Sequence, residues 1–169
     1  FFLKLRGEPP STVGLLLAPM GLGFLFAMPL MSRLSEKVGA RGASGSGCAI
    51  ALIGTLPFAI AGDTIPVVFL AVALAIRGFG VGSITIPSAA AAYASVPRES
   101  LGHATTAINI CQRFGGPTGS AGLAIFLQHA LLVAPNQAAA YAWTFWVLCI
   151  MATIGIWTAS RLPGPADRA

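Results

Sequence analysis

Two arginines, Arg77 and Arg113, are the residues most able to do chemistry. Each lies in a long stretch with no other Asp, Glu, Lys or Arg nearby. Read as helices, these stretches place each arginine about eleven residues from its start, close to halfway across an apolar layer ~30 Å thick. A guanidinium held there costs about 2.5–3.5 kcal/mol on insertion scales, so it must face a wet cavity, an anion or backbone carbonyls. Two readings stand for both residues: a substrate pathway or gate, and structural bonding to neighbouring helices. Around Arg113, the residues Thr105, Asn109, Gln112, Gly116 and Ser120 recur at three- and four-residue spacing and so share its helix face. Asn109 and Gln112 offer donors and acceptors together, suited either to a ligand or to satisfying Arg113.

Other chemistries find no residues. Glu8, Glu36, Asp63, Glu99 and Asp167 all fall between apolar runs or at the chain's ends. A proton relay within the apolar layer would need a carboxylate or histidine there. His103 and His129 sit near the two ends of the Arg113 segment, where an exposed or capping role is expected. Cys48, Cys111 and Cys149 are odd in number and have no CxxC or Cys/His spacing, so neither a disulfide framework nor a metal site is expected. The glycine-rich stretches 42–47 and 78–82 do not end in Gly-Lys-Ser/Thr and follow no strand, which excludes a phosphate loop. No Ser/His/Asp set, HExxH or paired intramembrane carboxylate is present. No catalytic residue, metal or cofactor is therefore assigned, and an enzyme is not expected.

The elements that hold these arginines follow from composition. The chain has 169 residues, 56% hydrophobic and only 9% charged, with a mean hydropathy of +0.80. Soluble domains carry about 25% charged residues to keep their surfaces wet. Here the apolar excess must face lipid, so the expected fold is all-α, a polytopic transmembrane bundle. The net charge of +5 does not point to nucleic acid, because the basic residues lie mostly at segment ends rather than on one wet face. Five spanning helices are expected, over about residues 12–32, 43–61, 66–92, 102–128 and 138–160, with Ser11 capping the first. Residues 163–169, rich in proline and glycine, form a tail. Phe1 to Leu5 read as the end of a preceding helix, since the chain opens without an initiator Met or a signal peptide.

Short connections make successive helices antiparallel. Arg33, Lys37, Arg41, Arg98, Arg161 and Arg168 then fall on one side, against Lys4 and Arg6 on the other. That asymmetry places the first and third loops and the C-terminus in the cytoplasm. Small residues on the helices, among them Gly78, Gly82, Gly116 and Gly119, suit close helix approach, and Pro87 and Pro117 suit bending.

Three stretches together resemble the major facilitator superfamily. Residues 32–41, Ser-Arg-Leu-Ser-Glu-Lys-Val-Gly-Ala-Arg, are similar to its cytoplasmic loop signature Gly-x-Leu-x-Asp-Arg-x-Gly-Arg, with Ser32 in place of the first Gly and Glu36 in place of the Asp. Arg77-Gly78-Phe79-Gly80-Val81-Gly82 with Pro87 resembles the pattern of the fourth helix of a six-helix repeat. Arg113-Phe114-Gly115-Gly116-Pro117-Thr118-Gly119 resembles the fifth-helix Gly-Pro pattern of exporters. The opening Leu5 to Leu15, with Leu17-Ala18-Pro19, looks like the start of the tenth helix of fourteen-helix drug:proton antiporters, the EmrB/QacA type.

This resemblance covers the chain to about Leu162 and implies the last five helices of such a transporter. It implies a cell-membrane protein that exports drugs or other small amphipathic compounds by alternating access. Protons would drive export, and an N-terminal half lying outside this chain would be its partner. The piece alone would be inactive. Arg77, Asn109, Gln112 and Arg113 would serve the substrate pathway or gate. Arg33, Glu36, Lys37, Gly39 and Arg41 would form a conformational loop, with topology alone as the other reading of that loop. An exporter of a metabolite or siderophore, and a non-transporting assembly subunit, are the alternatives. The expected partners are the lipid bilayer and a small-molecule substrate.

Overall fold

The computed structural model describes residues 1–2, 6–7, 9–61 and 64–161, the side chains at 10, 32–37, 61 and 86 excepted. The chain is all-helical, as its composition requires. Helix α1 runs Pro10–Ala61, α2 Val67–Ala94, α3 Leu101–Val133 and α4 Gln137–Ala159, with a short 3₁₀ turn at Arg98–Ser100 before α3. Four segments are long and apolar enough to cross a membrane: Ser11–Met31 and Val38–Ile60 within α1, then Val67–Ala94 and Gln137–Ala159. Helix α3 has 33 residues, ample for a crossing of ~30 Å at 1.5 Å per residue, but its polar stripe keeps it below the hydropathy of the other four.

Local chemistry sets the boundaries. Proline is tolerated in a first helical turn because its missing N–H has no partner there. Helix α1 accordingly begins at Pro10, with the Pro9 carbonyl accepting from the Val13 amide at 3.1 Å. Ser11, expected as the cap, instead lies inside the first turn. In α2 the Pro66 carbonyl accepts from Phe69 and Leu70, and the helix runs two residues past the expected Ala92, stopping before Pro97. Helix α3 continues five residues beyond Gln128. The residue before a proline is pushed to extended backbone, and it is Ala134, at ψ 148° ahead of Pro135, that ends the run. Helix α4 opens on Asn136, whose Oδ1 accepts from the Ala139 amide at 2.8 Å.

The two limbs of α1 are antiparallel although helical geometry continues between them up to one break. At Gly39, φ is 73° and ψ 170°, a conformation essentially reserved for glycine. The second limb starts near Val38, earlier than the expected Ala43. Helix α2 lies between both limbs. It meets the first limb in parallel, with Met20 against Gly78 and Phe24 against Gly82, and the second limb antiparallel, with Gly47 against Ser83 and Gly54 against Ala73 and Arg77. Glycines line both seams, so backbone approaches backbone; a Cβ on Gly82 would meet the Phe24 carbonyl at 2.8 Å. In lipid, where burial of apolar surface drives nothing, such close van der Waals contact is what holds helices together.

Helix α4 packs on the second limb, with Gly155 beside Cys48 and Phe145 beside Phe58. Among the described residues no Cα of α2 comes within 8 Å of one in α4. Helix α3 touches the rest mainly near its C-terminal end, where Ala130 is its one buried residue. The first two residues close the end opposite Gly39. Phe1 makes edge-to-face contacts with Phe2, Phe58, Tyr141 and Phe145 at centroid distances of 5.2–5.8 Å. Arg6 donates to the Ile65 carbonyl at that same end.

Candidate functional site

Arg77 is placed by α2 between the two limbs of α1. Gly54, opposite it on the second limb, has no side chain and lets the α2 backbone come close: a Cβ there would sit 2.5 Å from the Arg77 amide nitrogen. The Arg77 side chain is half-buried and lines a cavity of about 290 Å³ with Phe1, Phe2, Leu17, Phe58, Leu74 and Phe145. Phe58 and Phe145 lie 5.1 Å apart at 33°, and Phe1 stands edge-on to both. Among the described residues the Arg77 guanidinium has no hydrogen bond or ion pair. A guanidinium with five donors therefore faces an aromatic chamber. Such a chamber fits the apolar or aromatic body of a ligand, and the guanidinium fits an anionic or acceptor group on it.

The other expected pathway residues are elsewhere. Asn109, Gln112 and Arg113 are exposed on α3, and none of them lines the Arg77 cavity. Gly116 and Gly119 have nothing within 4 Å of a built Cβ. Pro117 lies within α3 and is exposed. The polar stripe is thus continuous on one helix but is not brought against Arg77 here. Further along α3, Ala124, Ile125, Leu127, Gln128 and Leu131 line a separate cavity of about 440 Å³ with Phe1 and Tyr141. Sequence reasoning passed over the phenylalanines and Gln128. Nothing in the spacing of Phe1, Phe58 and Phe145 announces that they converge.

In the loop motif, the side chains of Arg33, Glu36 and Lys37 lie outside the described residues. Gly39 is the break in α1, and Arg41 is exposed at the start of the second limb. Pro87 is fully buried within α2. Among the described residues no group of three or more His, Cys, Asp or Glu is placed to hold a metal ion.

Apolar rods of membrane length, packed through glycine and carrying basic charge at their ends, define a multi-pass membrane protein. The chain belongs to the Major Facilitator Superfamily, whose family pattern it matches over residues 3–168. It is similar to an uncharacterized MFS-type transporter, YcnB, of Bacillus subtilis: 28% identical over 118 residues, 70% of this chain and 25% of that protein. It is also similar to a multidrug resistance protein B homolog of Mycobacterium tuberculosis: 29% identical over 126 residues, 72% of this chain and 23% of that protein. The chain thus spans about a quarter of the length of the curated relatives it matches. No solved structure matches it. Membership in the superfamily places the chain in a family that includes MFS-type transporters.

Proposed function

We propose that this chain is the last five helices of a fourteen-helix, proton-coupled exporter of drugs or other small amphipathic compounds, working by alternating access in the cell membrane. The observation that carries this reading is Arg77, unpaired among the described residues and facing an aromatic cavity midway along α2. A relative named for multidrug resistance supports the substrate class. In this reading α3 also spans the membrane, as the fourth of five, and Asn109, Gln112 and Arg113 face the transport pathway once the N-terminal half is docked. The segment from Arg33 to Arg41 is a cytoplasmic loop that latches one conformation, and the C-terminus is cytoplasmic. Gly116, Pro117 and Gly119 let α3 bend and approach a partner helix. None of the four apolar spans contains Asp or Glu, so in this reading a proton-carrying carboxylate belongs to a part of the transporter outside this chain.

The test is efflux from proteoliposomes holding the intact transporter under an imposed pH gradient. Arg77→Gln and Arg113→Ala are expected to lower efflux at least tenfold at unchanged protein level, and Arg77→Lys to retain part of it. Wild-type efflux from both variants would sink the pathway role. The purified 169-residue chain alone is expected to carry no flux, because alternating access requires two bundles rocking about a shared site. A second reading is favoured by the positive charge of Arg77 and Arg113: a metabolite or siderophore exporter whose substrate is anionic or zwitterionic. Screening anions beside cations in the same vesicles separates the two.

A further inference from the structure

Away from the aromatic cavity, at the opposite end of the bundle, a second cleft of about 240 Å³ opens between the second limb of α1, α2 and α4. Its walls carry Ser44, Ser88 and Thr158, together with Cys48 and Gly155. Ser44 and Ser88 oxygens lie 3.3 Å apart across the α1–α2 seam, and the Thr158 hydroxyl donates to the Gly155 carbonyl at 3.0 Å. Ile84 and Ala159 complete a lining that is apolar with three hydroxyls in it, and its place at the end of the apolar spans sets it at the edge of the hydrocarbon, beside the headgroup layer.

Two arginines stand beside this cleft. Helix α4 and the second limb run antiparallel, since Gly155 meets Cys48 and Thr158 shares the cleft with Ser44. Arg41 precedes Ser44 by three residues, and Arg161 follows Thr158 by three, so the register brings both to the same end. Arg161 is stacked on Trp157, its guanidinium carbon 5.2 Å from the ring centroid. That ring is 61% exposed, and below it on α4 lie the exposed Ile150 and Ile154. Among the described residues neither arginine side chain has an ion pair or hydrogen bond. An amphipathic ring at headgroup depth, two cations above it and an apolar helix face below it match a phospholipid: phosphate above, acyl chain below.

We propose that the cleft lined by Ser44, Ser88 and Thr158, with Arg41, Trp157 and Arg161 at the same end of the bundle, binds the phosphate headgroup of an anionic phospholipid. The arginines pair with the phosphate and a second anionic group, and the half-buried Ser88 hydroxyl can donate to its oxygens, with the buried Ser44 hydroxyl behind it. The acyl chains lie along Trp157, Ile154 and Ile150. Electrostatic attraction of about 1 kcal/mol per surface cation corresponds to roughly fivefold in affinity for each arginine, and roughly thirtyfold for the pair.

The test uses the purified chain in detergent micelles, exchanged against phosphatidylglycerol, cardiolipin or phosphatidylcholine of matched acyl chains, with retained lipid counted by native mass spectrometry. The wild type is expected to prefer the anionic lipids at least tenfold over phosphatidylcholine. Arg41→Gln with Arg161→Gln should abolish that preference, while lysine at both positions should keep most of it. Arg98→Gln, which removes an exposed cation from the turn before α3 at the same end of the bundle, should lower it far less than the double variant does. An absent preference in the wild type would overturn the proposal, as would its survival in the double variant or an equal loss on Arg98→Gln. Inorganic phosphate at millimolar concentration should not displace the lipid; displacement would assign the cleft to a soluble anion instead. The comparison of lipids on the wild type needs no variant to fold.

Discussion

Replacing Gly54 by alanine tests how α2 is held. The added methyl would lie 2.5 Å from the Arg77 amide nitrogen, 2.7 Å from the Ala73 carbonyl oxygen and 2.8 Å from the Arg77 Cα. Ordinary contact begins near 3.4 Å, so α2 would have to retreat by close to 0.9 Å, the difference between 3.4 and 2.5 Å. All three atoms are backbone, so no rotamer relieves the clash and the whole seam must open. Overpacking of this kind costs about 1–3 kcal/mol, and a rigid backbone target places it at the upper end. Alanine gains about 0.5–1 kcal/mol over glycine in a helix interior. The net loss is therefore about 2 kcal/mol. Gly119→Ala is the internal control: its Cβ meets nothing within 4 Å, so only the helix gain remains, and stability should hold or rise. Both are measured by titrating dodecyl maltoside micelles of the purified chain with SDS. The fluorescence of Trp143, Trp146 and Trp157, all on α4, reports its separation from α1. Equal stability of Gly54→Ala and wild type, or equal losses in the two variants, would refute backbone contact as the source of the seam's stability.

Two further outcomes follow from single residues. Gly39→Ala forces a side chain into a φ of 73° with ψ of 170° and is expected to cost about 1–3 kcal/mol, read in the same titration; an unchanged midpoint would mean that the reversal relaxes to another geometry. Asn136→Ala removes the acceptor for the Ala139 amide and should cost about 1 kcal/mol, with raised hydrogen exchange confined to the first turn of α4; Asn136→Asp should retain the cap and the protection.

The fold class was legible because lipid leaves so few options. With 9% charged residues the chain cannot surround a core with water-facing groups, and helices are the open-chain way to satisfy backbone groups in hydrocarbon. Helix ends were less legible where apolar counting and backbone geometry differ. Counting stops at Gln128, while the helix goes on until Pro135 acts on Ala134. The site was legible as residue types and not as a constellation. A buried charge marks Arg77 and Arg113 equally in the sequence, but periodicity says only which residues share a face, never which neighbour that face meets. Gly23, Gly47 and Gly54 admit α2 closely, whereas nothing crowds Gly115, Gly116 or Gly119, and that difference separates the two arginines. The convergence of Phe1, Phe58 and Phe145 spans most of the chain and leaves no local trace.

Glycine on both flanks of α2 also has a mechanical meaning. A helix gripped backbone to backbone on two sides cannot bend or rotate by itself without opening a seam along several turns. The two limbs of α1 and α2 therefore form a stiff three-rod plate, in which a push at the Arg77 level is felt at the far end near Ser88 with little loss. Helix α3, joined to that plate through the short turn at Arg98–Ser100 and packed otherwise against α4, behaves as an arm on a hinge. Pulled from one end in a force microscope, such a molecule should shed the arm at low load and surrender the plate in a single, larger step.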